Sequence, residues 1–173
     1  LRTQDREHLI VCLDHRSEPR FPAPTLAAAK YVQDRTKCRV VMLTADHAYI
    51  RALAQQIGVT VDPVTFEHPD LIDWLARARV VLDLYTMHTP GRITTLAAWL
   101  GTPSVGSWNS PANGHPRVDP WSDTGGLAAL RLMQSDRAWQ TVRARGIEQV
   151  EQLYDLDRIR DVVRGLMDSE VRG

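Results

Sequence analysis

Short apolar runs alternate with longer amphipathic stretches along this chain. His8 to Leu13 (HLIVCL) is continuously apolar after its first residue and ends at Asp14, the pattern of a strand buried on both faces. Asp14 to Pro24 is polar, holds three prolines and predicts a loop. Thr25 is placed to cap an Ala-rich helix over Leu26 to Asp34. Arg39 to Leu43 (RVVML) predicts the second strand. Thr44 and Asp46 offer caps for a helix from His47 to Ile57, which Gly58 would close in the left-handed conformation. Val59 to Phe66 is a strand region interrupted by Pro63, which suits a sheet edge.

The alternation continues. Pro69 fits the first turn of a helix over Asp70 to Ala78. Val80 to Leu84 predicts the fourth strand, Arg92 to Leu100 the fourth helix and Ser104 to Gly106 the fifth strand. Ser107 to Asp123, rich in Pro, Gly, Asn and Ser, is the longest irregular stretch. Helices follow over Gly125 to Met133, Arg137 to Tyr154 and Leu156 to Met167. Such an order predicts an α/β fold, a doubly wound parallel sheet of five or six strands flanked by helices. Ligands of such sheets bind beyond the carboxyl ends of the strands, where strand order reverses. The loops Asp14 to Pro24, Thr44 to His47, Tyr85 to Gly91 and Ser107 to Asn113 are expected to meet there.

Composition narrows the function without naming it. A length of 173 residues predicts one domain over 1–173, and 43% hydrophobic with 24% charged residues is ordinary for a globular chain. With 21 basic and 21 acidic residues the net charge is zero, so nothing points to nucleic acid. Cys12 and Cys38 lie in or beside predicted strands without metal-ligand spacing and are expected to be buried free thiols. No signal peptide or transmembrane run is present, so a cytoplasmic location is expected. The start at Leu1-Arg2-Thr3, without Met, suggests an excised fragment. The chain lacks G-x-S-x-G, a P-loop and the G-x-G-x-x-G fingerprint, which argues against a serine hydrolase, an ATPase and a dehydrogenase.

The most informative stretch is Leu71 to Ser107. A helix leads to the strand Val80 to Leu84, then to a loop ending in Thr89-Pro90-Gly91, a helix, Gly101-Thr102-Pro103 and another strand. A turn that delivers Gly91 to a helix start just past a strand's carboxyl end builds an anion site, because unpaired N–H groups and the positive end of the helix dipole converge there. Ala76-Arg77-Ala78-Arg79-Val80-Val81-Leu82 stands where two-domain glycosyltransferases have A-x-A-D-V-F-V, and Ala97-Ala98-Trp99-Leu100-Gly101-Thr102-Pro103 stands where they have E-A-M-A-C-G-T-P. Val118-Asp119-Pro120-Trp121-Ser122-Asp123 is similar to their last strand and turn, and Leu153-Tyr154-Asp155-Leu156-Asp157-Arg158 to their ending. Over most of its length the chain resembles the C-terminal, donor-binding domain of GT-B-type glycosyltransferases of the group 1 kind. Retaining members carry a Glu three residues before the Gly and another five after it. Here those positions are His88 and Leu96.

The resemblance implies a Rossmann-like domain that binds a nucleoside diphosphate sugar as substrate, with no metal and no other cofactor. An N-terminal acceptor domain would be the missing partner. It implies Arg16, with Arg20 beside it, on the donor diphosphate, where a guanidinium fork suits phosphate oxygens. Thr89, Gly91 and Arg92 would also face the phosphates, with Thr94 and Thr95 as further hydroxyl donors. His88 would face the sugar and Phe66 the nucleobase. Each residue also has a plain reading: a solvated arginine, a turn glycine, a surface histidine, a core phenylalanine. Asp46 and His47 fit a helix cap and its neighbour better than an acid/base pair. A meeting of His15, His88 and His115 at a metal would be coincidence.

Two other readings stay open. A degenerate, non-catalytic copy of the domain, kept for structure or partner binding, fits the loss of both Glu. It predicts Tyr85, Trp108 or Leu96 filling the nucleotide's place, with the Trp108 and Trp121 region as a protein interface. A sugar-nucleotide epimerase shares the architecture.

Overall fold

The computed structural model describes residues 6–14, 22–65, 68–84, 92–107 and 116–153. In chain order the elements are β1 (Leu9–Leu13), α1 (Ala23–Thr36), β2 (Arg39–Thr44), α2 (His47–Ile57), β3 (Asp62–Thr65), α3 (His68–Arg77) and β4 (Val80–Asp83). They continue with α4 (Arg92–Trp99), β5 (Ser104–Ser107), β6 (Arg117–Val118), α5 (Thr124–Gln134) and α6 (Asp136–Leu153). The strands form one six-stranded sheet in the order β3-β2-β1-β4-β5-β6. Every pairing is parallel. This is the Rossmann-like architecture expected from the alternation of strands and helices.

Both faces of the sheet are covered, which is why its central strands are apolar throughout. All five residues of β1 are buried. Ile10 and Cys12 pack on one face with Leu26, Ala29 and Val32 of α1 and with Ile50 of α2. Leu9, Val11 and Leu13 pack on the other with Leu75 of α3 and Ile93 and Ala97 of α4. Helix α5 joins the first face through Ala129, Leu132 and Met133. There Gly125 and Gly126 permit close approach. A Cβ on Gly125 would stand 2.8 Å from Leu84 Cδ1, and one on Gly126 2.9 Å from Tyr31 Cδ1.

Several boundaries behave as their local chemistry dictates. The Asp46 carboxylate accepts from the Tyr49 N–H at 3.0 Å and caps α2, and Gly58 closes that helix at φ +80°. Pro63 lies in β3, which among the described residues pairs only with β2 and forms the sheet edge, where a missing N–H costs no ladder bond.

Other boundaries correct the sequence reading. Helix α1 begins at Ala23 rather than Leu26, with Pro24 in its first turn. Proline's fixed φ and absent N–H suit that position, so residues assigned to a loop by composition instead start the helix. Thr25 is therefore inside α1 and buried, not its cap. Lys37 ends α1 at φ 58°, a left-handed close that sequence does not flag because the residue is not glycine. Helix α3 starts at His68, with Pro69 in its first turn. The stretch 107–123, irregular by composition, is not wholly so, in line with the likeness of Val118 to Asp123 to a last strand and turn. It holds β6, paired to β5 through Gly106↔Arg117 and Ser107↔Val118, and a turn in which the Trp121 N–H donates to the Asp119 carboxylate at 2.9 Å. The expected helix over 156–167 lies outside the described residues.

Candidate functional site

Strand order reverses between β1 and β4. From β1 the chain steps outward through β2 to β3, then returns to place β4 on the other side of β1 and continues through β5 to β6. The register Cys12↔Leu82 sets the carboxyl ends of β1 and β4 level with each other. The rule for such sheets places a ligand at this edge, beside Leu13, Asp14, Asp83 and Leu84, with α4 beginning after β4 on the same edge.

Hydrogen bonds fix this edge. The Thr44 hydroxyl donates to the Asp14 carboxylate at 2.9 Å and accepts from the Asp46 N–H at 3.0 Å. The Asp14 N–H donates to the Leu43 carbonyl at 2.9 Å. His47 Nε2 lies 3.2 Å from the Thr65 hydroxyl. Helix α1 is fastened to β4: the Thr25 hydroxyl donates to the Leu84 carbonyl and accepts from the Leu84 N–H. Asp83 is a buried carboxylate at the end of β4, interrupting an otherwise apolar strand. None of these contacts was singled out from sequence. Asp83 had a visible signal, a charge inside the run VVLDL, whereas Thr25 and Leu84 are 59 positions apart and carry none.

Of the donor-contact candidates, Arg16, Arg20, Phe66, His88, Thr89 and Gly91 lie outside the described residues. Arg92 is the first residue of α4, which puts its backbone at the helix start; its side chain is not described. Thr94 is fully buried and Thr95 half-buried, and both are engaged. Leu96 is half-buried and packs against the α3/α4 core. An apolar side chain at that position is accounted for by core packing. Tyr85 and Trp108, the other residues considered for plugging the nucleotide's place, lie outside the described residues, as do His15 and His115. Trp121 is 65% exposed beside a cavity of about 330 Å³ that Pro24, Tyr31 and Gly126 also line.

Asp46 serves as the cap it resembles in sequence, and His47 meets Thr65. Cys12 and Cys38 are buried free thiols. Burial pushes both thiols up from their ordinary value, Cys12 further than Cys38, and for Cys12 the neighbouring Cys38 and Asp83 add to the effect. Neither is poised as a nucleophile. Among the described residues no group of three His, Cys, Asp or Glu is placed to hold a metal ion. Among them, too, no helix is long and apolar enough to cross a membrane.

No protein-family model matches the sequence, and no curated protein sequence matches it. Solved structures do. HepE from Anabaena, solved with UDP and glucose, superposes with a TM-score of 0.74 at 14% identity, over 95% of this chain and 49% of that one. The C-terminal domain of a group 1 family glycosyl transferase (LpcC) from Francisella tularensis gives 0.68 at 13% identity, over 86% of this chain and 87% of that domain. UDP-GlcNAc 2-epimerase from Neisseria meningitidis, bound to UDP-GlcNAc, gives 0.62 at 12% identity, over 92% and 46%. This chain thus spans about half the length of several of the solved chains it resembles. At such identities the likeness is one of fold alone, a Rossmann-like domain of the kind these glycosyltransferases and the epimerase contain.

Proposed function

We propose that this chain is the donor-binding half of a glycosyltransferase that takes its sugar from a nucleoside diphosphate sugar. The observation that carries the reading is the reversal point itself. The carboxyl ends of β1 and β4 stand level there, and α4 starts on the same edge, immediately after Gly91. The first-turn N–H groups of a helix in that position favour a diphosphate. Arg16, Arg20 and Arg92 would add charge-assisted hydrogen bonds to it. His88 would meet the sugar, Thr89 the phosphates and Phe66 the base.

These groups would hold negative charge as the nucleoside diphosphate departs, so catalysis on this side of the cleft is electrostatic and calls for no metal. The acceptor and the groups that orient it would come from an N-terminal domain, and the cleft would close by domain rotation. With Leu96 turned to core packing and His88 in place of the other Glu, this half lacks both carboxylates of the retaining enzymes. The isolated chain is expected to bind donor and transfer nothing.

Isothermal titration against UDP, GDP, ADP and dTDP tests the reading. The expected result is binding of one diphosphate, weakened about tenfold or more by Arg16→Ala, the scale of a lost charged hydrogen bond. Absence of binding to all four at millimolar ligand overturns the donor site and favours a non-catalytic copy of the domain. Product analysis of a protein carrying both halves separates transfer from epimerisation, which the fold shared with the Neisseria enzyme also accommodates.

A further inference from the structure

A second concave site lies at the opposite edge of the sheet. Helices α5 and α6 join at Ser135, and residues of both line a trough of about 560 Å³, within the range of small-molecule sites. Its position is fixed from below. Arg79, one residue before β4, donates to the Leu132 carbonyl and pairs with the Asp136 carboxylate, and Trp139 Nε1 donates to the Arg79 carbonyl at 2.8 Å. The trough is therefore at the amino edge of the strands, away from the reversal point.

Its chemistry is one-sided. Ala128 and Leu132 of α5 face Ala138 and Val142 of α6 and make an apolar floor. Arg131 enters from α5, and Arg137 and Arg145 from α6, two turns apart with Thr141 between them. Among the described residues no acidic residue lines the trough. The nearest carboxylate along the chain, Asp136, is taken by Arg79. Among the described residues none of the three guanidiniums has an ion pair.

Helix stability does not explain the arrangement. Arg131 suits the last turn of α5, but Arg137 stands in the first turn of α6, where the helix dipole disfavours a cation. Three like charges around a low-dielectric floor focus positive potential into the trough, and an anion relieves their repulsion. The floor asks for a carbon body behind that anion.

We propose that this trough binds an organophosphate: a phosphate or diphosphate gripped by Arg131, Arg137 and Arg145, with an apolar group lying on Ala128, Leu132, Ala138 and Val142. The assignment is independent of the donor-site reading, because it uses a different edge of the sheet and different residues. Soluble organophosphates and anionic lipid headgroups share the chemistry.

The test follows backbone amide shifts of the whole chain with hexyl phosphate, hexanol and inorganic phosphate as probes. Hexyl phosphate is expected to shift the amides of Leu132, Thr141 and Val142 saturably. Inorganic phosphate and hexanol are each expected to bind about tenfold more weakly or worse, since each lacks half of the recognised chemistry. The R131Q/R137Q/R145Q variant removes only exposed side chains, so it should keep its Tm and lose hexyl phosphate binding by about tenfold or more. Unchanged affinity in that variant, hexanol binding as tightly as hexyl phosphate, or shifts confined to other surfaces would overturn the site. Vesicles of phosphatidylglycerol and of phosphatidylcholine identify the source. Capture by the anionic vesicles alone, lost in the triple variant, marks a lipid headgroup. Hexyl phosphate binding without vesicle capture marks a soluble organophosphate. Either outcome sustains the site.

Discussion

The Thr25 hydroxyl stands against both backbone polar groups of Leu84. It donates to the Leu84 carbonyl at 3.2 Å and accepts from the Leu84 N–H at 3.3 Å, with all the groups buried. One side chain in the first turn of α1 thereby supplies the partners that the chain loses on leaving β4. It also ties the segment that follows β1 to the segment that follows β4, the two that flank the reversal point.

Thr25→Val keeps the shape and removes both hydrogen bonds. Two buried backbone groups would be left unpaired, so a loss of about 2–4 kcal/mol in unfolding free energy is expected. Thr25→Ser keeps the hydroxyl and should lose only about 1 kcal/mol, the share of the missing methyl. Urea denaturation of the two variants checks the difference. Equal losses would mean that packing, not hydrogen bonding, is the role of this residue.

Much of the fold is written in patterns that act over one element. The unbroken run Leu9 to Leu13 declares a strand covered on both faces, and Pro63 declares an edge, because each reports a local constraint on backbone or burial. What stays hidden is pairwise and distant. Thr25 has the look of a cap, since Ser and Thr before an apolar run usually are caps. Only its approach to a residue 59 positions away shows otherwise. The polar edge of Asp14, Thr44 and Asp46 is of the same kind: each residue is unremarkable alone, and their meeting depends on which strands become neighbours. For the candidate site, sequence locates the reversal-point edge, and the structure supplies that edge as expected. The individual donor contacts rest on the resemblance. The arginine trough escapes sequence reading because Arg131, Arg137 and Arg145 sit on two helices whose mutual angle no single periodicity encodes.

Asp46→Ala should cost about 1 kcal/mol by removing the cap bond to the Tyr49 N–H, while Asp46→Asn, which keeps an acceptor, should cost only a fraction of that. Thermal unfolding followed by far-ultraviolet circular dichroism reads the difference. The Asp46 N–H still donates to Thr44 in both variants, so the Asp14–Thr44 link should survive. A larger loss in the Asn variant than in the Ala variant would contradict the capping role.

Gly125 and Gly126 look like helix weaknesses, and on propensity alone alanine would add about 1 kcal/mol at each. Packing reverses the sign at Gly126. A new Cβ there meets Tyr31 at Cδ1, Cβ and Cγ, between 2.9 and 3.0 Å, and a Cβ atom cannot swing away without moving α1. At Gly125 the nearest atom, at 2.8 Å, is the terminal Cδ1 of Leu84, which a rotamer change can withdraw. Gly126→Ala is expected to destabilise by about 1–3 kcal/mol and Gly125→Ala by less. In a double-mutant cycle, Tyr31→Ala should relieve most of the Gly126→Ala penalty. Additive losses would place the cost elsewhere than the α1–α5 contact.

The two thiols give the chain a pH dependence whose direction follows from their burial. In the unfolded chain Cys12 titrates near the ordinary thiol value of 9.0, while in the fold burial pushes its ionisation well above that. Above about pH 9 the unfolded chain therefore releases a proton that the folded chain keeps, and deprotonation favours unfolding. The stabilisation is complete below the unfolded value and declines as pH rises from there toward the folded one. Its limiting slope is about 1.4 kcal/mol per pH unit for one thiol. Cys12→Ala should flatten the decline between pH 9 and 10 by about 1 kcal/mol, whatever lysines and tyrosines contribute in parallel, because they titrate identically in both proteins. Cys38, raised by burial in the same direction but less deeply enclosed, should show a smaller share when replaced. Denaturant midpoints across this window, taken with and without each cysteine, measure both slopes. Identical slopes for Cys12→Ala and the parent would show that the Cys12 thiol ionises as readily inside the sheet as outside it.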